Sequence, residues 1–122
     1  MVSEGYATNR LRSEMNGKGV PVAAMVEEIV GCKWSVQLLW LILDGRYRPS
    51  ELLRELPGLS PKVMHERLRK MVGFGILLRH VRGEKPPVEV EYRLTPFGYR
   101  FMRILDEVRR LQEDVDGELA KG

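Results

Sequence analysis

The sequence predicts an α+β chain that is mainly α. Three observations predict it. Between residues 48 and 77, a short apolar-periodic stretch breaks at Pro57-Gly58 and a second begins behind Ser60-Pro61. Proline cannot continue a helix and glycine takes turn dihedrals, so the first stretch ends there. Next, residues 88–94 alternate, with Val88, Val90, Tyr92 and Leu94 on one side and Glu89, Glu91 and Arg93 on the other. Finally, Phe97, Phe101, Ile104, Val108, Leu111 and Val115 follow one another at 4-3-4-3-4 spacing, the seam of a coiled coil. Two helices joined by a tight turn, then a hairpin, then a long apolar-striped helix make a winged helix-turn-helix. It has a two-stranded β-hairpin wing and a long C-terminal dimerisation helix.

At 122 residues the chain is short enough for one folding unit. Four segments are expected: a flexible N-terminal extension over 1–20, a winged helix-turn-helix over 21–95, a dimerisation helix over 96–116 and a tail over 117–122. Asn16-Gly17-Lys18-Gly19 has linker composition, and residues 8–15 can form two helical turns. No apolar run reaches the roughly 18 residues of a membrane span. No signal-peptide pattern opens the chain. One cysteine allows no internal disulfide. These features fit a cytoplasmic protein without a membrane partner.

Residues 21–30 form the first expected helix, with Val22, Met25, Val26 and Ile29 inward and Glu27 and Glu28 outward. Residues 33–43 are apolar almost all round, as in a helix at the centre of a domain. Ser60 caps the second helix of the helix-turn-helix and Pro61 fits its first position. Leu59 and Met64 can pack as a staple across that cap. Met64, Leu68 and Met71 bury the helix. Lys62, His65, Glu66, Arg69 and Lys70 are thereby turned outward or to the flanks, with Arg67 beside the core stripe. Gly75 suits the left-handed position that closes it. Strands are expected over 76–82 and 88–94, joined by Gly83-Glu84-Lys85-Pro86-Pro87. Thr95 caps the last helix and Pro96 opens it.

Net charge is +3, unevenly placed. Residues 46–85 carry ten Lys/Arg against four Asp/Glu, a net of +6; the flanking segments are −1 and −2. Clustered positive charge on a helix-turn-helix is the footprint of phosphate binding. The expected DNA-binding residues are Arg46, Arg48 and Ser50 at the start of the preceding helix, and Ser60 and Lys62 at the recognition helix N-terminus. His65, Glu66, Arg67 and Lys70 follow along that helix, and Arg79, His80, Arg82 and Lys85 lie on the wing. The recognition helix, 60–73, would enter the major groove, and the wing, 79–90, the adjacent groove or backbone. Glu66 has two readings: an acceptor for a cytosine amine, or an ion-pair partner of Lys62 or Lys70. Arg67 can bind DNA or fix a neighbouring helix.

Phe97, Phe101, Ile104, Val108, Leu111 and Val115 are the dimerisation candidates; folding back of this helix onto its own core is the other use of the stripe. Cys32 is either a small buried apolar residue or a candidate redox thiol at a helix N-terminus beside Lys33. Cys32, His65 and His80 do not match zinc spacing. No hydrolase triad or phosphate-binding glycine loop is visible, so neither an enzyme nor a cofactor is expected.

In order and nearly at spacing, Ile29-Val30-Gly31-Cys32-Lys33-Trp34, Ser50-Glu51-Leu52, Leu56-Pro57-Gly58-Leu59-Ser60-Pro61-Lys62, Arg67-Leu68, Gly75-Ile76, Pro86-Pro87 and Val90-Glu91-Tyr92-Arg93-Leu94-Thr95 with Gly98 resemble the HxlR-type winged helix-turn-helix transcriptional regulators. The likeness covers residues 20–115. It implies a homodimer that binds a double-stranded DNA operator, with a small-molecule or redox effector of unknown identity. Four departures stand out. Val20 occupies the place of the sensing cysteine found in many oxidant-responsive members, and the chain's one cysteine replaces the second glycine of Gly-Gly-Lys-Trp. Pro49 replaces an aromatic. Val72-Gly73-Phe74 is apolar where the family is acidic, which leaves Phe74 expected on the surface. The wing carries one extra residue between Pro87 and Val90. The alternative to DNA recognition is a protein-interaction module working through Phe74 and the C-terminal seam.

Overall fold

The structure, a computed structural model, describes residues 19–121. Its elements are α1 (Val22–Val30), α2 (Lys33–Leu43), α3 (Pro49–Glu55), α4 (Pro61–Gly73), β1 (Leu77–Arg82), β2 (Glu89–Leu94) and α5 (Pro96–Lys121). The two helical turns expected over 8–15, and most of the 1–20 extension, lie outside the described residues. Val20 is described, and it packs against the core rather than trailing from it.

Helix α2 is the axis of the fold. Leu38, Leu39 and Ile42 are fully buried beneath the other elements, while Trp34 and Trp40 lie half-covered at its edges. The Arg109 guanidinium of α5 sits 5.8 Å from the Trp40 ring centre and the Lys33 ammonium 4.8 Å from that of Trp34. Both indoles are therefore packing surfaces whose exposed faces are covered by cations.

Helix α4 begins as its sequence demands. The Ser60 hydroxyl accepts the Val63 N–H at 3.1 Å, and Pro61 follows at the first helical position. Such a cap stabilises a helix by about 1 kcal/mol. Leu59 and Met64 are both buried, consistent with the staple. Gly75, at φ 78°, closes the helix.

Three features depart from the sequence pattern. Phe74 is only 5% exposed and belongs to the core. It follows Met71 by three residues, so it continues the buried stripe through the helix cap, and the Lys70 ammonium lies 5.6 Å from its ring centre. Glu91, on the polar side of the alternating strand with Glu89 and Arg93, is 5% exposed. Arg93 and Arg82 hold its carboxylate at 3.2 and 3.6 Å. A buried carboxylate demands such compensation. Third, α5 does not stop at 116 but runs to Lys121. The 109–113 ion pair and the 112–116 hydrogen bond, each at four residues' spacing, support its last turns, and Gly117 does not break it.

Strands β1 and β2 pair antiparallel, with Leu77 opposite Leu94, Arg79 opposite Tyr92 and Val81 opposite Val90. The Tyr92 N–H also donates to the Tyr47 carbonyl at 2.8 Å, so the segment before α3 lies along the outer edge of β2. Arg93 stacks on the Tyr47 ring, 4.0 Å from its centre.

One residue, Thr95, joins the wing to α5. Its hydroxyl donates to the Gly75 carbonyl and accepts the Gly98 N–H at 2.9 Å, while its own N–H donates to the Ile76 carbonyl at 3.0 Å. From Phe97 to Leu105, α5 packs on the body. Beyond Asp106 every described residue is exposed. The expected seam therefore divides. Phe97 and Phe101 pack inward as a tilted aromatic pair, while Ile104, Val108, Leu111 and Val115 stay uncovered, joined by Leu119. Asp106 marks the departure point. A hydrogen bond from Arg109, assisted by the charge of Arg110 and opposed by partial burial, holds its carboxyl below the usual carboxylate range.

Candidate nucleic-acid interface

Helix α4 has a buried stripe, Met64, Leu68 and Met71, and an opposite, fully exposed face. Lys62, Glu66 and Arg69 lie on that face at four- and three-residue spacing. None of the three has an ion-pair partner among the described residues, so Glu66 pairs with neither Lys62 nor Lys70. Arg69 was missing from the expected site. Its signal was available: it stands two turns beyond Lys62, where a helix repeats its facing.

The two flanks of α4 differ. On one, His65, Arg69 and Val72 face Arg79, Val90 and Tyr92 of the wing and Pro49 of α3 across a cleft of about 390 Å³. On the other, Lys70 pairs with Glu28 of α1 at 3.0 Å. The structure thus ties Lys70 to the body beside Phe74, not to the outward face. Arg67 is half-buried, and its Nε has no hydrogen-bond partner among the described residues.

The wing cations divide by strand alternation. Arg79 shares a sheet face with Tyr92, its cross-strand partner, and turns towards α4. His80 and Arg82 project from the other face, where Arg82 is engaged with Glu91. Lys85 sits exposed in the loop containing Pro86 and Pro87. Arg48 reaches Glu89 of β2 at 3.1 Å, and Arg46 lies 3.7 Å from Asp44. Sequence position alone made Arg48 and Arg82 free cations; in the fold they brace the wing through its own carboxylates. Ser50 is exposed near the start of α3.

Cys32 is half-buried at the N-cap position of α2, without a side-chain cap hydrogen bond. No group of three or more His, Cys, Asp or Glu able to hold a metal ion occurs among the described residues. No described helix is long and apolar enough to cross a membrane.

A helix-turn-helix whose second helix exposes a polar face, followed directly by a hairpin, defines a winged-helix protein. Residues 29–118 match the HxlR-like helix-turn-helix family model, and the chain belongs to that family. The uncharacterised HTH-type transcriptional regulator YtcD of Bacillus subtilis (strain 168) is 35% identical over 79 residues, 65% of this chain and 62% of that relative. The match thus spans a little under two thirds of the relative's length. Among solved structures, a transcriptional regulator assigned to the MarR family from Enterococcus faecalis V583 superposes with TM-score 0.73 at 32% identity, covering 83% of this chain and 90% of its own. The redox regulator HypR in its reduced form superposes at 0.70 and 29%, covering 84% and 100%.

Proposed function

We propose that this protein is a homodimeric transcriptional regulator that binds DNA in a sequence-specific manner, with α4 in the major groove and the wing, 79–90, on the adjacent groove or backbone. The observation that carries the reading is the uncompensated outward face of α4. Lys62 and Arg69 stand there without carboxylate partners among the described residues, while Arg48, Arg82 and Arg93 are engaged by Glu89 or Glu91. Unpaired cations on an exposed helix face offer phosphate contacts at no cost in broken ion pairs. Glu66 and His65 between them supply base-edge chemistry, because glutamate accepts from cytosine N4. Ser60 and the first α4 amides suit a phosphate at the helix N-terminus. Arg79, His80 and Lys85 extend the contact to the wing. Arg48 and Arg82 act on DNA chiefly by holding the wing in place. Residues 21–95 form the reading unit, and the exposed stripe of α5 pairs two copies.

An electrophoretic shift on DNA from upstream of the coding region, at two or more salt concentrations, tests the reading. Lys62→Ala weakens binding and lowers the slope of log affinity against log salt by about one per subunit. An unchanged slope removes the phosphate contact. His65→Ala instead alters sequence preference, seen when several operators are compared; a uniform loss across them removes its base-reading role. The protein-interaction alternative relied on Phe74 and the C-terminal seam; the burial of Phe74 removes the first of these, and the exposed seam remains available to a second copy.

A further inference from the structure

The cleft between α4 and the base of the wing has walls of one chemistry and a rim of another. Pro49, Val72, Val90 and Tyr92 make the apolar part of its lining, and Arg69 of α4 and Arg79 of β1 line it too, with His65 one turn from Arg69. Its volume, about 390 Å³, lies in the range of small-molecule sites. The nearby arginines are not equivalent. Arg48, Arg82 and Arg93 are each engaged by Glu89 or Glu91, whereas Arg69 and Arg79 meet no carboxylate among the described residues within 4.0 Å. Guanidinium groups bind carboxylates through paired N–H donors, and apolar walls reward a ligand body that leaves water. A bare phosphate would use the rim and leave the walls idle.

We propose that this cleft binds a small organic carboxylate with a flat apolar body. The ring lies against Val72, Val90 and Tyr92, and the carboxylate meets Arg69 and Arg79. A ligand there occupies two of the cations and the space between α4 and the wing, so it competes with DNA. Only this competitive consequence rests on the DNA-binding reading; the binding itself does not.

The experiment therefore has two arms. In the first, isotopically labelled protein without DNA is titrated with sodium 2-naphthoate, with 2-naphthylmethanol and with inorganic phosphate, and amide spectra are followed. Naphthoate is expected to saturate and to move the amides of Val72, Arg79, Val90 and Tyr92. The alcohol and the phosphate should bind at least tenfold more weakly. Arg69→Gln and Arg79→Gln, both at exposed positions, should each weaken naphthoate about tenfold with no change in melting temperature. Equal naphthoate binding by the double variant overturns the site, and phosphate binding as tight as naphthoate reduces it to an anion patch. In the second arm, naphthoate is expected to displace a fluorescent duplex from the wild-type protein. Saturation without displacement overturns the competition. A duplex that never binds overturns the DNA reading and leaves the first arm intact.

Discussion

Replacing Val108 and Leu111 together by aspartate is expected to halve the mass of the particle in solution. Light scattering coupled to size exclusion should fall from twice 14.1 kDa to 14.1 kDa. Both side chains lie on the part of α5 that leaves the body, and Leu111 is 66% exposed in the single chain. Sixteen residues from Asp106 onward extend about 24 Å at 1.5 Å each. Val108, Leu111, Val115 and Leu119 run along that length, all exposed in the single chain, and Ile104 continues the stripe towards the body. An apolar stripe of this kind on an isolated helix is marginal in water and gains stability by packing. Paired copies would bury the stripe, and two aspartates in each copy would place unpaired charges in the seam at a cost of several kcal/mol. The core of the body, which these residues do not touch, should keep its dispersed amide spectrum. Linking two reading units raises affinity by about 10²–10⁴ through effective concentration. DNA binding should fall by a factor in that range. A variant that keeps twice the chain mass would show that the seam is not the interface.

Among the described glycines, Gly98→Ala is expected to be the most destabilising substitution. A Cβ at this position would lie 2.1 Å from the Ile76 carbonyl oxygen and 3.1 Å from a Leu94 methyl. The first of these is backbone, fixed by the Thr95 N–H and by the start of β1, so it cannot swing aside. Relief requires the first turn of α5 to lift, which also spoils the Gly98 N–H bond to the Thr95 hydroxyl. Overpacking of this kind costs about 1–3 kcal/mol, and the lost hydrogen bond brings the expectation to about 3 kcal/mol. For a domain of this size that is a fall of roughly 10 °C in melting temperature. Gly117→Ala is the control of opposite sign. Its Cβ would meet nothing within 4 Å, and removing a glycine from an exposed helix interior stabilises by about 1 kcal/mol. A melting temperature unchanged by Gly98→Ala would mean that α5 does not approach Ile76 so closely.

The fold was legible because its signals are local. Pro57-Gly58, Ser60-Pro61 and Thr95-Pro96 each act within a few residues, and the strand and helix periods of 88–94 and 97–115 are read without knowing what they pack on. The burial of Phe74 and Glu91 was not legible because it depends on partners distant in sequence or on the surroundings of a whole sheet face. Strand alternation assigned Glu91 to the open side correctly, but it could not reveal that Arg82, Arg93 and the Tyr47 segment cover that side. The candidate site shows the same division. The outward position of Lys62, Glu66 and Arg69 follows from helical period alone. The engagement of Arg48 with Glu89, 41 residues away, does not.

The junction at Thr95 has a consequence for the DNA rather than for the protein. Because a single hydrogen-bonded residue separates the wing from α5, two paired copies would have little slack between their reading heads. Deleting one base pair between half-sites turns one of them by about a tenth of a helical turn and moves it about 3.4 Å. With the protein unable to absorb that mismatch, the duplex must twist or bend to meet it. The energy of doing so depends on how deformable its central steps are. Base pairs that no side chain touches would then influence which operators are chosen, through the stiffness of the DNA itself.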